Sequence, residues 1–262
     1  VAAFGGYASV PTGVAAGLLR VPLVLHEQNA VLGRAHHLLS RFAERIATSF
    51  PETRGVPADK AADIVGNPVR AAFHDLPTPA PHDGVRLFVV GGSQGARVFS
   101  DVLPDAIARL APETRARLGV VQQCRAEDLE RVERAYAELG VEAELAAFFD
   151  DMPARLAAAD LVVSRAGASA VAEILLVGRA AVLVPYPYAA DDHQRANARA
   201  LDAAGAAVAV DPEAATAERL GAVLGELLGD PARLGAMATA ARGLARADAA
   251  ERLADRVEEV AR

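Results

Sequence analysis

Short apolar runs alternate along this chain with stretches whose apolar positions return every three or four residues. The runs are residues 22–27, 45–50, 63–66, 85–90, 118–123, 143–149, 160–164, 180–186 and 206–210. Each has the length of a strand, and nearly unbroken apolarity marks a strand covered on both faces. The periodic stretches between them predict helices over 32–44, 94–110, 126–139, 154–159, 169–177 and 193–204. Strand alternating with helix predicts an α/β fold built on parallel sheet. After residue 210 only helical patterns remain, over 216–228, 231–245 and 249–261, the last with a start signal at Asp248.

Residues 76–84, LPTPAPHDG, break the periodicity with prolines and an Asp-Gly pair and read as a linker. Six strand runs follow it, enough for a complete doubly wound domain. Only about two or three strand–helix units precede it, part of another such domain. The chain opens at Val1 on what reads as the end of a strand, followed by FGGYAS. The start of that strand is expected upstream.

Composition narrows the partners. With 262 residues and 52% apolar content, the chain is long enough for two modest domains or one large one and can bury a sizeable core. A net charge of −7 turns the reading away from nucleic acid, whose binders carry a basic face. It leaves room for small anions held by backbone amides. The single cysteine, Cys124, has no partner for an intramolecular disulfide, which fits a reducing compartment. No apolar run reaches transmembrane length.

Two glycine loops carry the candidate chemistry. LFVVGGSQGA (87–96) and DLVVSRAGAS (160–169) both read as strand, glycine turn and helix start. Such a place offers free N–H groups and a helix dipole to an anion. Gly91, Gly92 and Ser93 are a diphosphate cradle or a tight turn that needs glycine for positive φ. The loop is neither a Walker loop nor a GxGxxG turn, so a nicotinamide cofactor is not expected. In the second loop, Arg165 to Ser169, the nearby Glu173 can accept both hydroxyls of a ribose. It can equally be a solvated acid near a helix N-terminus.

Other groups lie at predicted strand ends, where open α/β sheets bind ligands. HEQN (26–29) is one, with His26 read as structural and Asn29 as a ligand contact or a helix cap. GNPVR (66–70) sets Arg70 where its planar fork could meet phosphate, or simply at the surface. DDHQ (191–194) opens a predicted helix. Its adjacent Asp-Asp-His cannot converge on one ion, so a sugar contact from Gln194 is favoured over a metal site. His36 and His37 are adjacent on a helix and face apart. The 32–46 stretch, with its arginines, could lie on an anionic membrane or pack as an ordinary amphipathic helix.

Taken in order, FGGYAS, VLHEQN, GNPVR, VVGGSQGA, FFDDM, SRAGAS-x-x-AE and DDHQ-x-x-NA resemble the MurG-type UDP-N-acetylglucosamine transferases of peptidoglycan synthesis. The resemblance covers nearly the whole chain. It implies a GT-B fold of two Rossmann-like parallel-sheet domains, the first incomplete here. Residues 1–68 would belong to the acceptor domain and 69–246 to the donor-nucleotide domain, with 247–262 a helix returning to the first. The implied reaction moves N-acetylglucosamine from UDP-N-acetylglucosamine to lipid I, giving lipid II, with inversion and without metal or other cofactor. The implied setting is the cytoplasmic face of the cell membrane, as a peripheral enzyme at the inner-membrane surface.

The resemblance also assigns roles. Ser93 meets the diphosphate and Phe149 offers its backbone to uracil. Ala168, Ser169, Ala170, Val171, Ala172 and Glu173 wrap the nucleotide, with Glu173 on the ribose. Gln194 and Asn29 touch the N-acetylglucosamine, with His193 adjacent. Arg70 stands at the interdomain side of the donor, with Gly92 and Arg165 close by, and Gly6 and Tyr7 belong to the acceptor side. Three features depart from the family. Its first glycine loop, GGTGGH, with the proposed catalytic base, is expected upstream of Val1. Ala170 stands where relatives often have threonine. Cys124-Arg125 follows Gln122-Gln123 where a glycine turn is usual. Two other readings remain: another UDP-sugar enzyme of the same fold, such as a glycolipid glycosyltransferase or 2-epimerase, or a UDP-sugar-binding module without catalysis.

Overall fold

The computed structural model describes residues 1–76, 82–92 and 97–262. Within them the chain builds two parallel sheets. The first is β1 (Ala2–Ala3), β2 (Val24–Glu27), β3 (Arg45–Thr48) and β4 (Ala62–Ile64), paired in that order. Its first strand, two alanines long, lies where the opening of the chain reads as the end of a strand. On one face, α1 (Ser9–Leu18) and α2 (Arg34–Leu39) close over the sheet, with Leu39 of α2 packed with Leu25 and Ile46. They approach so nearly that a Cβ on Gly13 would lie 2.6 Å from the Leu39 side chain, and one on Gly17 2.5 Å from Phe42.

The second sheet holds β5 (Val85–Val90), β6 (Leu118–Gln123), β7 (Glu142–Ala146), β8 (Leu161–Ser164), β9 (Ala180–Leu183) and β10 (Ala207–Ala209). Its spatial order is β10-β9-β8-β5-β6-β7, all parallel. From β5 the chain steps outward to β7, then crosses back to β8 and steps outward the other way. The order reverses between β5 and β8, and at such a switch point the loops leave a crevice at the carboxyl ends of the strands.

Successive residues of β5 feed opposite faces, as strand geometry requires. Leu87 and Val89 join the core under α3 (Arg97–Ala108), α5 (Leu129–Glu138) and α9 (Ala217–Leu228). Phe88 and Val90 join the core under α6 (Met152–Ala158), α7 (Ala168–Val177), α8 (His193–Ala203) and α10 (Pro231–Leu244). That second core also takes in Ala30, Phe50 and Phe73, so it continues across to the first sheet's loops. A final helix, α11 (Ala249–Ala261), sets Leu253 against Ala47 and Val65 on the free face of the first sheet.

Several boundaries differ from the pattern. The predicted helix 32–44 is helical only at α2, because Gly33 is its N-cap and the chain leaves the helix at Ser40. The strand predicted over 143–149 ends at Ala146, which leaves Phe149 beyond the sheet. The one predicted over 180–186 stops before Pro185. α1 and a short turn of helix, α4 (Pro112–Arg115), are structural findings without a sequence expectation. Residues 77–81 of the expected linker lie outside the described residues.

Candidate functional site in the interdomain crevice

The crevice at the switch point is floored by the ends of β5 and β8. After β5, Gly91 donates its N–H to Gln123 Oε1 at 3.3 Å, and Gln123 is itself held by the Ala147 carbonyl at 3.2 Å. Gly92 follows at φ +83° with open space where a Cβ would sit, so backbone conformation and not crowding demands glycine there. Ser93, assigned to the diphosphate, lies outside the described residues, as do the following three.

Gly167 caps α7 in extended conformation with no side-chain cap, so the first amides of the helix have no intrahelical acceptor. Ala168, Val171 and Ala172 face a largely apolar cavity of about 350 Å³, shared with Phe50, Val69 and Leu175. Val171 is 2% exposed and belongs to the core, so its side chain is not free to wrap a ligand. Ser169 is exposed. Glu173 reaches the other way, and Arg70 donates to its Oε1 at 3.3 Å. Arg70 also lies over the Phe73 ring at 5.1 Å. Burial raises the Glu173 pKa, and Arg70 only partly counters this.

Gln194, at the start of α8, accepts the Tyr186 N–H on Oε1 at 2.9 Å. Its Nε2 would lie 3.9 Å from a Cβ on Gly167, so it stands beside the α7 N-terminus. His193 is half-buried, with Nδ1 2.7 Å from the Ala190 carbonyl. The two aspartates before it, Asp191 and Asp192, both take left-handed φ values of 51° and 54°. Asp191 pairs with Arg34 of α2, and Asp192 with Arg195. The three adjacent groups thus turn to three different partners. Among the described residues no three His, Cys, Asp or Glu side chains converge on a point.

Arg165 turns beneath the loop. Its guanidinium donates to the Val184 and Pro185 carbonyls and lies over the Phe99 and Tyr186 rings. Burial lowers its pKa. Phe149 is 5% exposed, packed on Phe88 and covered by Arg155, so only its backbone is available to a ligand.

The first domain presents the HEQN loop to this crevice. Glu27 is buried and accepts four hydrogen bonds. Its Oε1 takes the Asn29 backbone and side-chain amides at 3.0 and 3.1 Å; its Oε2 takes the Gly33 N–H at 2.9 Å and His36 Nδ1 at 2.7 Å. Burial by itself would raise the Glu27 pKa, but these bonds more than offset it and the net shift is downward. His26 is buried and donates Nε2–H to the Gly66 carbonyl at 2.8 Å, which fixes the start of the GNPVR segment. Burial lowers its pKa. Gly6 turns the chain at φ +74°, and Tyr7 stands 93% exposed beside it.

Sequence reasoning assigned no role to the residue that joins the two halves. Asn197, wholly buried on α8, accepts the Ala30 N–H on Oδ1 at 2.8 Å. Its Nδ2 donates to Asn29 Oδ1 and to the Ala166 carbonyl, both at 3.0 Å. The available signal was its spacing, three residues after Gln194 and on the same helical face. The arrangement as a whole offers unpaired helix amides, a carboxylate, an arginine and carboxamides in one crevice, the equipment for a nucleotide diphosphate with a polyhydroxylated group attached.

The chain is similar to known proteins along nearly its whole length. The glycosyltransferase family 28 C-terminal domain matches residues 86–253, and the family's N-terminal domain matches residues 1–48. A UDP-N-acetylglucosamine–N-acetylmuramyl-(pentapeptide) pyrophosphoryl-undecaprenol N-acetylglucosamine transferase of Rhodospirillum centenum is 52% identical, over 98% of this chain and 70% of its own length. The protein of that name from Methylobacterium sp. strain 4-46 is 54% identical, over 100% of this chain and 72% of its own. Among solved structures, Acinetobacter baumannii MurG superposes with a TM-score of 0.85 at 35% identity, over 99% of this chain and 74% of that one.

Proposed function

The chain belongs to glycosyltransferase family 28, and from that premise we propose how its crevice serves the family's reaction. It is a GT-B glycosyltransferase that moves N-acetylglucosamine from UDP-N-acetylglucosamine to lipid I, the undecaprenyl-diphosphate-linked muramoyl-pentapeptide, giving lipid II. The observation that carries the reading is what gathers at the β8–α7 connection: Arg70 bonds Glu173 of α7, Asn29 of the first domain bonds Asn197, and Gln194 stands beside the uncapped start of α7.

On this reading the α7 amides and Arg70 face the diphosphate side of the donor, and Glu173 accepts the ribose hydroxyls. Gln194 and Asn29 hold the N-acetylglucosamine from opposite domains, with His193 adjacent. Gly6 and Tyr7 face the acceptor. Inverting transfer needs a base on the acceptor hydroxyl and stabilisation of the departing UDP. The helix start and the arginine supply the second need. Their dipoles and charge are fixed before reaction, so little reorganisation is required as negative charge develops.

The same reading sets the chain at the cytoplasmic face of the membrane that carries its lipid substrate. Leu18 and Leu19 are 74% and 75% exposed, next to Arg20 and Val21, which supports a surface contact. No helix among the described residues is long and apolar enough to cross a membrane.

Calorimetry tests the donor assignment. The chain is expected to bind UDP-N-acetylglucosamine and UDP and to discriminate against ADP. Equal affinity for ADP and UDP would overturn the reading.

A further inference from the structure

Asn197 is buried, uncharged and remote in sequence from both loops it joins, yet three of its side-chain hydrogen bonds leave its own helix. One amide of the first domain (Ala30), one side chain of the first domain (Asn29) and one carbonyl of the β8–α7 loop (Ala166) meet on it within 3.0 Å. Asn29 is fixed from the other side by Glu27, which takes its Nδ2 proton and leaves its Oδ1 for Asn197. The Ala166 carbonyl lies one residue before the Gly167 cap of α7.

We infer that Asn197 is a positioning residue for the sugar of the donor. It locks Asn29 of the first domain in register with the β8–α7 loop and Gln194 of the second. The inference rests on the donor assignment above. It adds that the two halves of the sugar subsite are aligned by one buried carboxamide that touches no substrate. The nucleotide half is different: Glu173 and the α7 amides sit on the second domain and do not depend on the register between domains. A carboxamide suits the place because it both donates and accepts without a charge to desolvate.

The test compares two ligands on the full 262-residue chain. Wild type, Asn197→Ala, Asn197→Asp, Asn29→Ala and the double variant Asn29→Ala/Asn197→Ala are titrated with UDP and with UDP-N-acetylglucosamine. Asn197→Asp keeps the acceptor for Ala30 but turns oxygen toward two oxygens, at nearly unchanged volume. Both Asn197 variants are expected to lower the ratio of UDP-N-acetylglucosamine to UDP affinity about tenfold, with UDP affinity within about twofold of wild type. In the Asn29→Ala background, Asn197→Ala is expected to add less than about twofold, because its effect runs through Asn29. An unchanged ratio overturns the inference. So does an equal loss of both ligands, or failure of both Asn197 variants to fold and bind UDP, either of which makes Asn197 a support of the fold alone. Failure of the wild type to prefer UDP over ADP strikes the donor assignment instead, and is seen before any variant is made.

Discussion

Glu173 can hold two hydroxyls only as a carboxylate, and its surroundings work against that state. Burial raises its pKa, and the exposed Arg70 offsets only part of the effect. UDP affinity should therefore decline on acidification from a higher pH than an ordinary glutamate near 4.3 would give. Titration from pH 7.5 downward checks this, and Glu173→Gln should weaken UDP about tenfold at neutral pH and flatten the decline. Glu27 behaves in the opposite sense. Its folded pKa is lowered, so the stability it contributes is present above the usual glutamate value and is lost as pH falls through the lowered one. Glu27→Gln leaves donors facing a donor in a buried site and should cost about 3–5 kcal/mol, read as early melting of the first domain. The two acids were not equally legible. Glu173 was marked by its glycine loop. Glu27 lay inside HEQN but gave no hint that it organises the loop, because its partners Gly33 and His36 are ordinary letters in a helical stretch.

At the scale of elements, α7 shows stability and function in opposition. A helix capped by glycine keeps its first amides free for an anion at the expense of its own capping. Gly167 has φ −67° and ψ 143°, open to any residue, and a Cβ there meets nothing nearer than 3.9 Å. Gly167→Asp should cap the helix and raise thermal stability by a few tenths of a kcal/mol. It should also put a carboxylate where the diphosphate belongs and weaken UDP at least about tenfold. A variant that gained stability and kept its affinity would remove α7 from the anion site. Strands β5 and β6 were readable to the residue, because each carries an apolar centre, Leu87–Val90 and Val120–Val121, that a strand buried on both faces requires. Of the helices before the linker, α1 was unreadable. Pro11, Gly13 and Gly17 depress its intrinsic preference for helix, and what holds it is close approach to Leu39 and Phe42, a tertiary fact.

Across the whole molecule, the two sheets were legible and their relation was not. A linker rich in proline marks where one domain stops, but nothing local records what touches across the boundary. Asn197 meets partners 167 and 168 residues away. The GNPVR segment and the α10–α11 connection also touch each other where the chain passes between domains. Gly66 stands at φ +90°, and a Cβ on it would lie 2.5 Å from Arg246 Cβ and 3.2 Å from Ala249. Its carbonyl also takes the His26 proton. Gly66→Ala must then strain the backbone and push the two crossings apart, at roughly 2–5 kcal/mol. The added Cβ meets Arg246 and Ala249 at the crossing between the domains, and not Glu173 or the α7 amides. The variant should melt earlier, hold UDP nearly as wild type does, and lose preference for UDP-N-acetylglucosamine, whose sugar needs Asn29 from the other side. Thermal scanning with the two titrations measures all three. A variant that keeps its preference for the sugar nucleotide would show that the subsite tolerates a shift between domains, and the register at Asn197 would then have no functional consequence.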